Sequence, residues 1–205
     1  MKCLSFNCRG MASTSKKVAL RILFESEPVD IILLQETLWE ADIITNTLTS
    51  LKPSWPFPSV GASGRSGGLA IEYNPRSIKA LSAWGVPGFI GLDLFSAELG
   101  RELWIINIYG PCHRQEDFWH RFLNLAVVSS DNIILGGDLN LSLGFGESWG
   151  LQTQVDSLSE YMLNILELHN LADIPMNKPL PTWRNQIIGE VALARRFDTF
   201  DAAAA

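Results

Sequence analysis

Two stretches of the chain carry the same arrangement of polar and apolar positions. Residues 30–36 (DIILLQE) and 131–138 (DNIILGGD) each open on an aspartate, run through a short apolar block and end on a second carboxylate. An unbroken apolar run of this length, bounded by polar residues, predicts a strand covered on both faces. Charged side chains avoid such surroundings unless something holds them there. The pattern therefore sets Glu36 and Asp138 at the exit ends of two central strands, where layered α/β folds place their ligands. Carboxylates in that position suit a hard cation.

Around these strands the hydrophobic period switches between two and three-to-four. Residues 2–7 alternate and stop at Cys8-Arg9-Gly10, which predicts a first strand. Ser13 or Ser15 caps a predicted helix through residue 26, with Val18, Leu20, Ile22, Leu23 and Phe24 as its buried stripe and Pro28 closing it. A second helix is expected over 41–51, ahead of Pro53 and a loop at 53–58. Residues 59–74 predict two strands about a turn region at 61–68, and 78–83 and 89–99 continue an antiparallel series. Residues 103–109 form a further apolar strand, halted by Gly110-Pro111. A helix over 115–129, carrying Phe118, Phe122, Leu123 and the apolar residues 125–128, leads into the second carboxylate-ended strand. A Gly/Ser-rich loop at 142–150, a helix over 157–171 and short strands at 182–183 and 196–200 complete the order. Two mixed sheets packed face to face with helices outside bury such a pattern. The expected fold is thus an α/β sandwich of four layers, one domain over residues 1–201 with an alanine tail at 202–205.

Composition narrows the class. A hydrophobic share of 47% against a charged share of 19% belongs to a well-cored globular chain and excludes a disordered one. The apolar runs are too short to span a membrane, and residues 1–10, broken by Lys2, Asn7 and Arg9, lack a secretory apolar block. Cys3, Cys8 and Cys112 leave an odd count without CxxC spacing. Free, mostly buried thiols in a reducing intracellular compartment, nuclear or cytoplasmic, are expected. A net charge of -6 argues against a surface built only to coat nucleic acid. It leaves room for a basic edge drawn from Arg9, Lys16, Lys17, Arg65, Arg114, Arg121, Arg184, Arg195 and Arg196. No obligate protein partner is implied, and a monomer is expected.

Polar residues recur where the predicted strands end: Asn7, Glu36, Tyr109, Asp138 with Asn140, and Thr182. Each alone has an ordinary explanation, since an asparagine begins turns, a tyrosine fills cores and an aspartate caps loops. Their common placement at strand termini marks a site.

The phrases FNCRG (6–10), LLQET (33–37), INIYGP (106–111), GGDLN (136–140), TW (182–183) and RRFDTF (195–200), in this order, resemble the endonuclease/exonuclease/phosphatase superfamily. That group includes apurinic/apyrimidinic endonucleases and pancreatic-type deoxyribonucleases. GRSGGLAI (64–71), NIYGP, and HNLADIP followed by TWRN (169–185) resemble the endonuclease domain of plant LINE-type (non-LTR) retrotransposons. The resemblance implies metal-assisted phosphodiester hydrolysis on DNA. Glu36 would hold Mg²⁺ or Mn²⁺. Asp138 would orient or deprotonate the attacking water, or protonate the leaving oxygen. Asn7 and Asn140 would donate N–H bonds to non-bridging oxygens, Tyr109 would contact the same phosphate, and Thr182 would lie near the scissile group.

Two departures from the family pattern change the expectation. Arg9 stands where many relatives carry an acid that joins the metal shell, which favours a single ion held mainly by Glu36, weaker metal binding, or a phosphate contact by Arg9 itself. Asp198 resembles the aspartate that orients a catalytic histidine, yet no Ser-Asp-His follows it in these 205 residues. The expected architecture is accordingly a C-terminally truncated one. His113, His120 and His169 are read as structural, so turnover is expected to be severely reduced. A phosphatase of the same fold and a catalytically dead relic are the competing readings.

Overall fold

The computed structural model describes residues 1–11, 13–38, 41–63, 66–150, 155–174, 180–185 and 193–203. The chain forms two compact units, Met1–Tyr109 and Gly110–Ala205. Arg65 and the last two alanines of the tail lie outside the described residues.

The first unit runs β1 (Cys3–Asn7), α1 (Thr14–Ser26), β2 (Ile31–Gln35), α2 (Ala41–Leu51), β3 (Ser59–Ser63), β4 (Ser66–Tyr73), β5 (Ile78–Val86), β6 (Phe89–Ser96) and β7 (Arg101–Tyr109). One sheet has the order β1-β2-β4-β3. Its β1–β2 pair is parallel, as a crossover through a helix demands, and its other pairs are antiparallel. Asn7 lies level with Gln35 in that pair, so Glu36 is the first residue beyond it. All five residues of β2 are buried, as a two-sided apolar run predicts. Ile32 and Leu34 join Leu20, Phe24, Ile44 and Leu48 in a cluster between sheet and helices. The opposite face meets β7, whose Asn107 donates to the Leu34 and Ala70 carbonyls, each at 2.9 Å. Strands β5, β6 and β7 form an antiparallel meander. Asp30, which opens the first carboxylate-ended segment, is a strap: it accepts from Lys2 N at 2.8 Å and Ser77 Oγ at 2.6 Å.

Helix α1 starts where its cap predicts, with Ser13 Oγ accepting from Lys16 N. Its buried stripe is narrower than expected. Leu20 and Phe24, one helical turn apart, are buried, whereas Val18 and Ile22 are 49% and 60% exposed. The 100° step per residue carries positions 18 and 22 to the side of the helix opposite Leu20 and Phe24.

The second unit contains α3 (Gln115–Leu123), β8 (Ile133–Asp138), β9 (Ser148–Gly150), α4 (Ser159–Leu168), β10 (Leu171–Asp173), β11 (Trp183–Arg184), β12 (Leu193–Arg195) and β13 (Asp198–Ala203). Strand β13 pairs antiparallel with β8 and β10, and β12 pairs with β9 and β11. Ala202 and Ala203 therefore continue a strand.

Three expectations fail in this unit. The helix expected over 115–129 ends at Leu123, and Ala126–Ser129 is a separate 3₁₀ turn. Asn124 is the cause: its side-chain amide donates to the His120 carbonyl at 2.8 Å, in competition with the continuing helix. The helix expected to reach 171 ends at Leu168, because Asn170 takes φ +52 and redirects the chain into β10. The loop at 142–150 contains β9, too short for periodicity to reveal. Of the three free cysteines, only Cys8 is buried; Cys3 is half-buried and Cys112 exposed. No helix among the described residues is long and apolar enough to cross a membrane.

Candidate active site

In the first unit, Asn7 and Glu36 meet where β1 and β2 end. Asn7 Nδ2 donates to Glu36 Oε1 at 2.9 Å, and Asn7 Oδ1 accepts from Arg9 N at 2.9 Å. Both ends of the amide are thus fixed. Glu36 leaves its strand at φ +48, and Arg9 sits at φ +45. Side chains with a Cβ rarely occupy this region, and non-glycine residues held there cluster at functional sites. Backbone bonds hold the turn in place, from Gly10 N to Glu36 O at 2.7 Å and from Cys8 N to Gln35 O at 2.8 Å. Arg9 points an exposed side chain from this loop. Tyr109 ends β7 half-buried, its N–H on the Gly88 carbonyl.

The second unit gathers the remaining groups about the end of β8. Asp138, only 6% exposed, accepts from Asn140 N at 3.0 Å, so the two form one turn. Asn140 has φ +52 and donates from Nδ2 to the Gly110 carbonyl at 2.6 Å. Gly110 in turn gives its N–H to the Asp138 carbonyl at 2.8 Å. No other residue fits at 110, since an added Cβ would stand 2.1 Å from the Leu139 carbonyl oxygen. Asp198 opens β13 directly opposite Asp138. Thr182 is exposed, and its hydroxyl accepts from Phe197 N at 3.0 Å, one residue before Asp198. The histidines stay outside this arrangement. His113 and His120 are exposed, with His120 beside Asn124, and His169 caps α4.

Sequence reasoning missed the groups that hold these residues. Gln35 and Asn107 are fully buried and joined Nε2 to Oδ1 at 2.6 Å, with Ser5 completing the network. The available signal was polarity: an amide inside a strand buried on both faces must have partners. Gln115 Nε2 donates to the Asn140 carbonyl at 2.8 Å, a contact without a sequence signature. Behind Asp198, Arg196 is 6% exposed and grips Asp173 through two bonds, at 2.8 and 3.0 Å, and Glu147 at 2.5 Å. Asp201 is buried beside this cluster; burial, reinforced by Asp173, pushes its carboxyl up to about 7. Burial also pushes the Cys3 and Cys8 thiols up to about 12, so neither serves as a nucleophile at neutral pH.

Among the described residues, no group of three or more His, Cys, Asp and Glu side chains is arranged to hold a metal ion. Mg²⁺ does not require one, because it keeps several waters and binds through one or two carboxylates. Glu36, a half-buried hard oxygen donor already oriented by Asn7, fits such an ion.

Comparison with known proteins agrees with the mixed α/β architecture. The chain belongs to the Endonuclease/Exonuclease/phosphatase family, which it matches over residues 4–198. No curated protein matches it in sequence. Among solved structures it is similar to the endonuclease domain of TRAS1, a telomere-specific non-LTR retrotransposon, with 14% identity and a TM-score of 0.67, covering 98% of this chain and 84% of that one. The AP endonuclease LMAP from Leishmania major superposes at a TM-score of 0.73 with 17% identity, covering 97% and 78%. The 3' phosphatase NExo from Neisseria, bound to a product DNA hairpin, gives 0.71 with 15% identity, covering 99% and 86%.

Proposed function

We propose that this chain is a Mg²⁺-dependent DNA endonuclease of the non-LTR retrotransposon type, working inside the cell as a monomer. The observation that carries the reading is the Asn7–Glu36 hydrogen bond, a carboxylate held by an amide at two adjacent strand ends, each flanked by a residue at positive φ. The family match and the likeness to the TRAS1 endonuclease domain support the substrate class.

In this reading Glu36 holds the ion and Asn7 keeps its carboxylate oriented. Bound Mg²⁺ supplies charge neutralisation at the phosphoryl oxygen. Asp138 accepts a proton from the attacking water or returns one to the leaving oxygen, and its turn with Asn140 fixes its direction. Asn7, Asn140 and Tyr109 donate to phosphate oxygens as charge accumulates there. Arg9 and Thr182, both exposed, are assigned contacts to the DNA backbone.

Nicking of supercoiled plasmid tests the proposal. EDTA should stop it, and Glu36→Gln and Asp138→Asn should each lower the rate by about 10²-fold or more. The double variant should be no slower than the worse single, as expected of groups acting as a unit. Nicking in EDTA, or nicking indifferent to both replacements, would sink the assignment. Faster hydrolysis of a phosphomonoester, such as an inositol phosphate, than of DNA would move it to a phosphatase. A folded wild-type chain without any turnover would leave a relic.

A further inference from the structure

Lys16 stands in the first turn of α1, among the cations that the sequence offers as a basic edge. Although Lys16 is exposed, its ammonium is turned onto the loop that precedes the helix. Nζ lies 2.6 Å from the Arg9 carbonyl oxygen, 2.9 Å from that of Gly10 and 3.4 Å from that of Cys8. Three consecutive carbonyls converge on one nitrogen that carries three N–H donors and no acceptor. The loop can present them this way because Arg9 and Gly10 both take positive φ, +45 and +78.

We propose that Lys16 is a positioning residue for the metal-binding side chain, not a phosphate contact; the inference rests on the function proposed above. The same loop sets the Asn7–Glu36 pair through two bonds. Arg9 N fixes Asn7 Oδ1, which turns Nδ2 toward Glu36, and Gly10 N fixes the Glu36 carbonyl. Without a cation over the three carbonyls, their mutual repulsion opposes the left-handed turn, and both bonds loosen together. Lys16 itself is anchored, because its own N–H caps onto Ser13 Oγ. An ammonium so engaged has little left to offer a DNA backbone, despite its charge.

The test measures equilibrium Mn²⁺ binding by electron paramagnetic resonance, alongside thermal unfolding and the salt dependence of DNA binding. Lys16→Met should weaken Mn²⁺ binding about 10-fold, the loss typical of residues that orient a metal ligand. Its logarithmic salt slope for DNA should equal that of the wild type. Ser77→Ala is the structural control: it removes the bond to Asp30 ahead of β2, lowers the unfolding midpoint, and should leave Mn²⁺ affinity unchanged. If Lys16→Met does not fold, Lys16→Arg takes its place under the same criteria, since a planar guanidinium cannot aim three N–H groups of one nitrogen at three oxygens. Wild-type Mn²⁺ affinity in the folded variant would overturn the proposal. So would a salt slope reduced by about 0.9, the mark of one lost phosphate contact. Glu36→Gln separates the two readings. If it binds Mn²⁺ as the wild type does, the metal-dependent function itself fails; if it binds weakly while Lys16→Met does not, only the role of Lys16 fails.

Discussion

Glu72 has surroundings that disfavour its charged form. It lies opposite Ile32 on the helix-facing side of its sheet, fully buried, with neither carboxylate oxygen hydrogen-bonded. Burial pushes its carboxyl up to about 8, with Lys52 opposing only in part. The folded chain therefore holds a proton that the unfolded chain releases near the ordinary value of 4.5. Between those two pH values the folded state binds more protons, so stability falls as pH rises and levels off above about 8. Glu72→Gln should flatten this dependence and raise stability at pH 9 by on the order of a few kcal/mol. Urea unfolding at pH 5, 7 and 9 measures it; a parallel loss in both proteins would refute the assignment. Nothing in the alternation of 66–73 flags Glu72 as buried. Its neighbour in register is an apolar residue of another strand, and pairing across a sheet is not written in local periodicity.

At the scale of elements, Arg196 is the fastening that joins β13, β10 and the turn before β9. Its guanidinium spans Asp173 and Glu147, and its backbone N–H reaches the Glu147 carbonyl at 2.9 Å. Arg196→Met would leave Glu147, Asp173 and Asp201 facing one another without a cation. A loss of about 3–5 kcal/mol is expected, since removing one partner of a buried pair strands the remaining charge. Asp201→Asn in the same background should recover part of it, because Asp201 is the buried member whose ionisation burial already resists. Equal urea midpoints for the single and double variants would show that Asp201 is not coupled to the cluster. This fastening was only half legible in the sequence. The strands to Glu36 and Asp138 and the cap of α1 follow from local signals: apolar runs of strand length and a serine before a periodic stretch. Strands β9 and β10 have three residues each and exist through their partners, so no local period announces them. The break after α3 had a visible cause, the side-chain amide of Asn124, which apolar residues on both sides outweighed in the reading.

At the scale of the whole molecule, the candidate groups divide between the two compact units. Asn7, Arg9, Glu36 and Tyr109 belong to the first, and Asp138, Asn140, Thr182 and Asp198 to the second. The strand-end pattern pointed to Asn7, Glu36, Tyr109, Asp138, Asn140 and Thr182, and the family resemblance added Arg9 and Asp198. The groups behind them were not legible, since Gln35, Asn107 and Arg196 act through neighbours distant in the chain. Identities of 14–17% with structures that superpose at 0.67–0.73 show that one fold is reached from widely different sequences. Gly110 is a position that admits no side chain. Its missing side chain is space already taken by the peptide oxygen of Leu139, so even a single methyl would shove that segment aside. Gly110→Ala should therefore yield a chain that still melts cooperatively but nicks DNA at least about 10-fold more slowly, because Asn140 follows the displaced peptide. Such a variant would make a folded, near-silent reference protein, altered by one carbon atom at a position without any functional group.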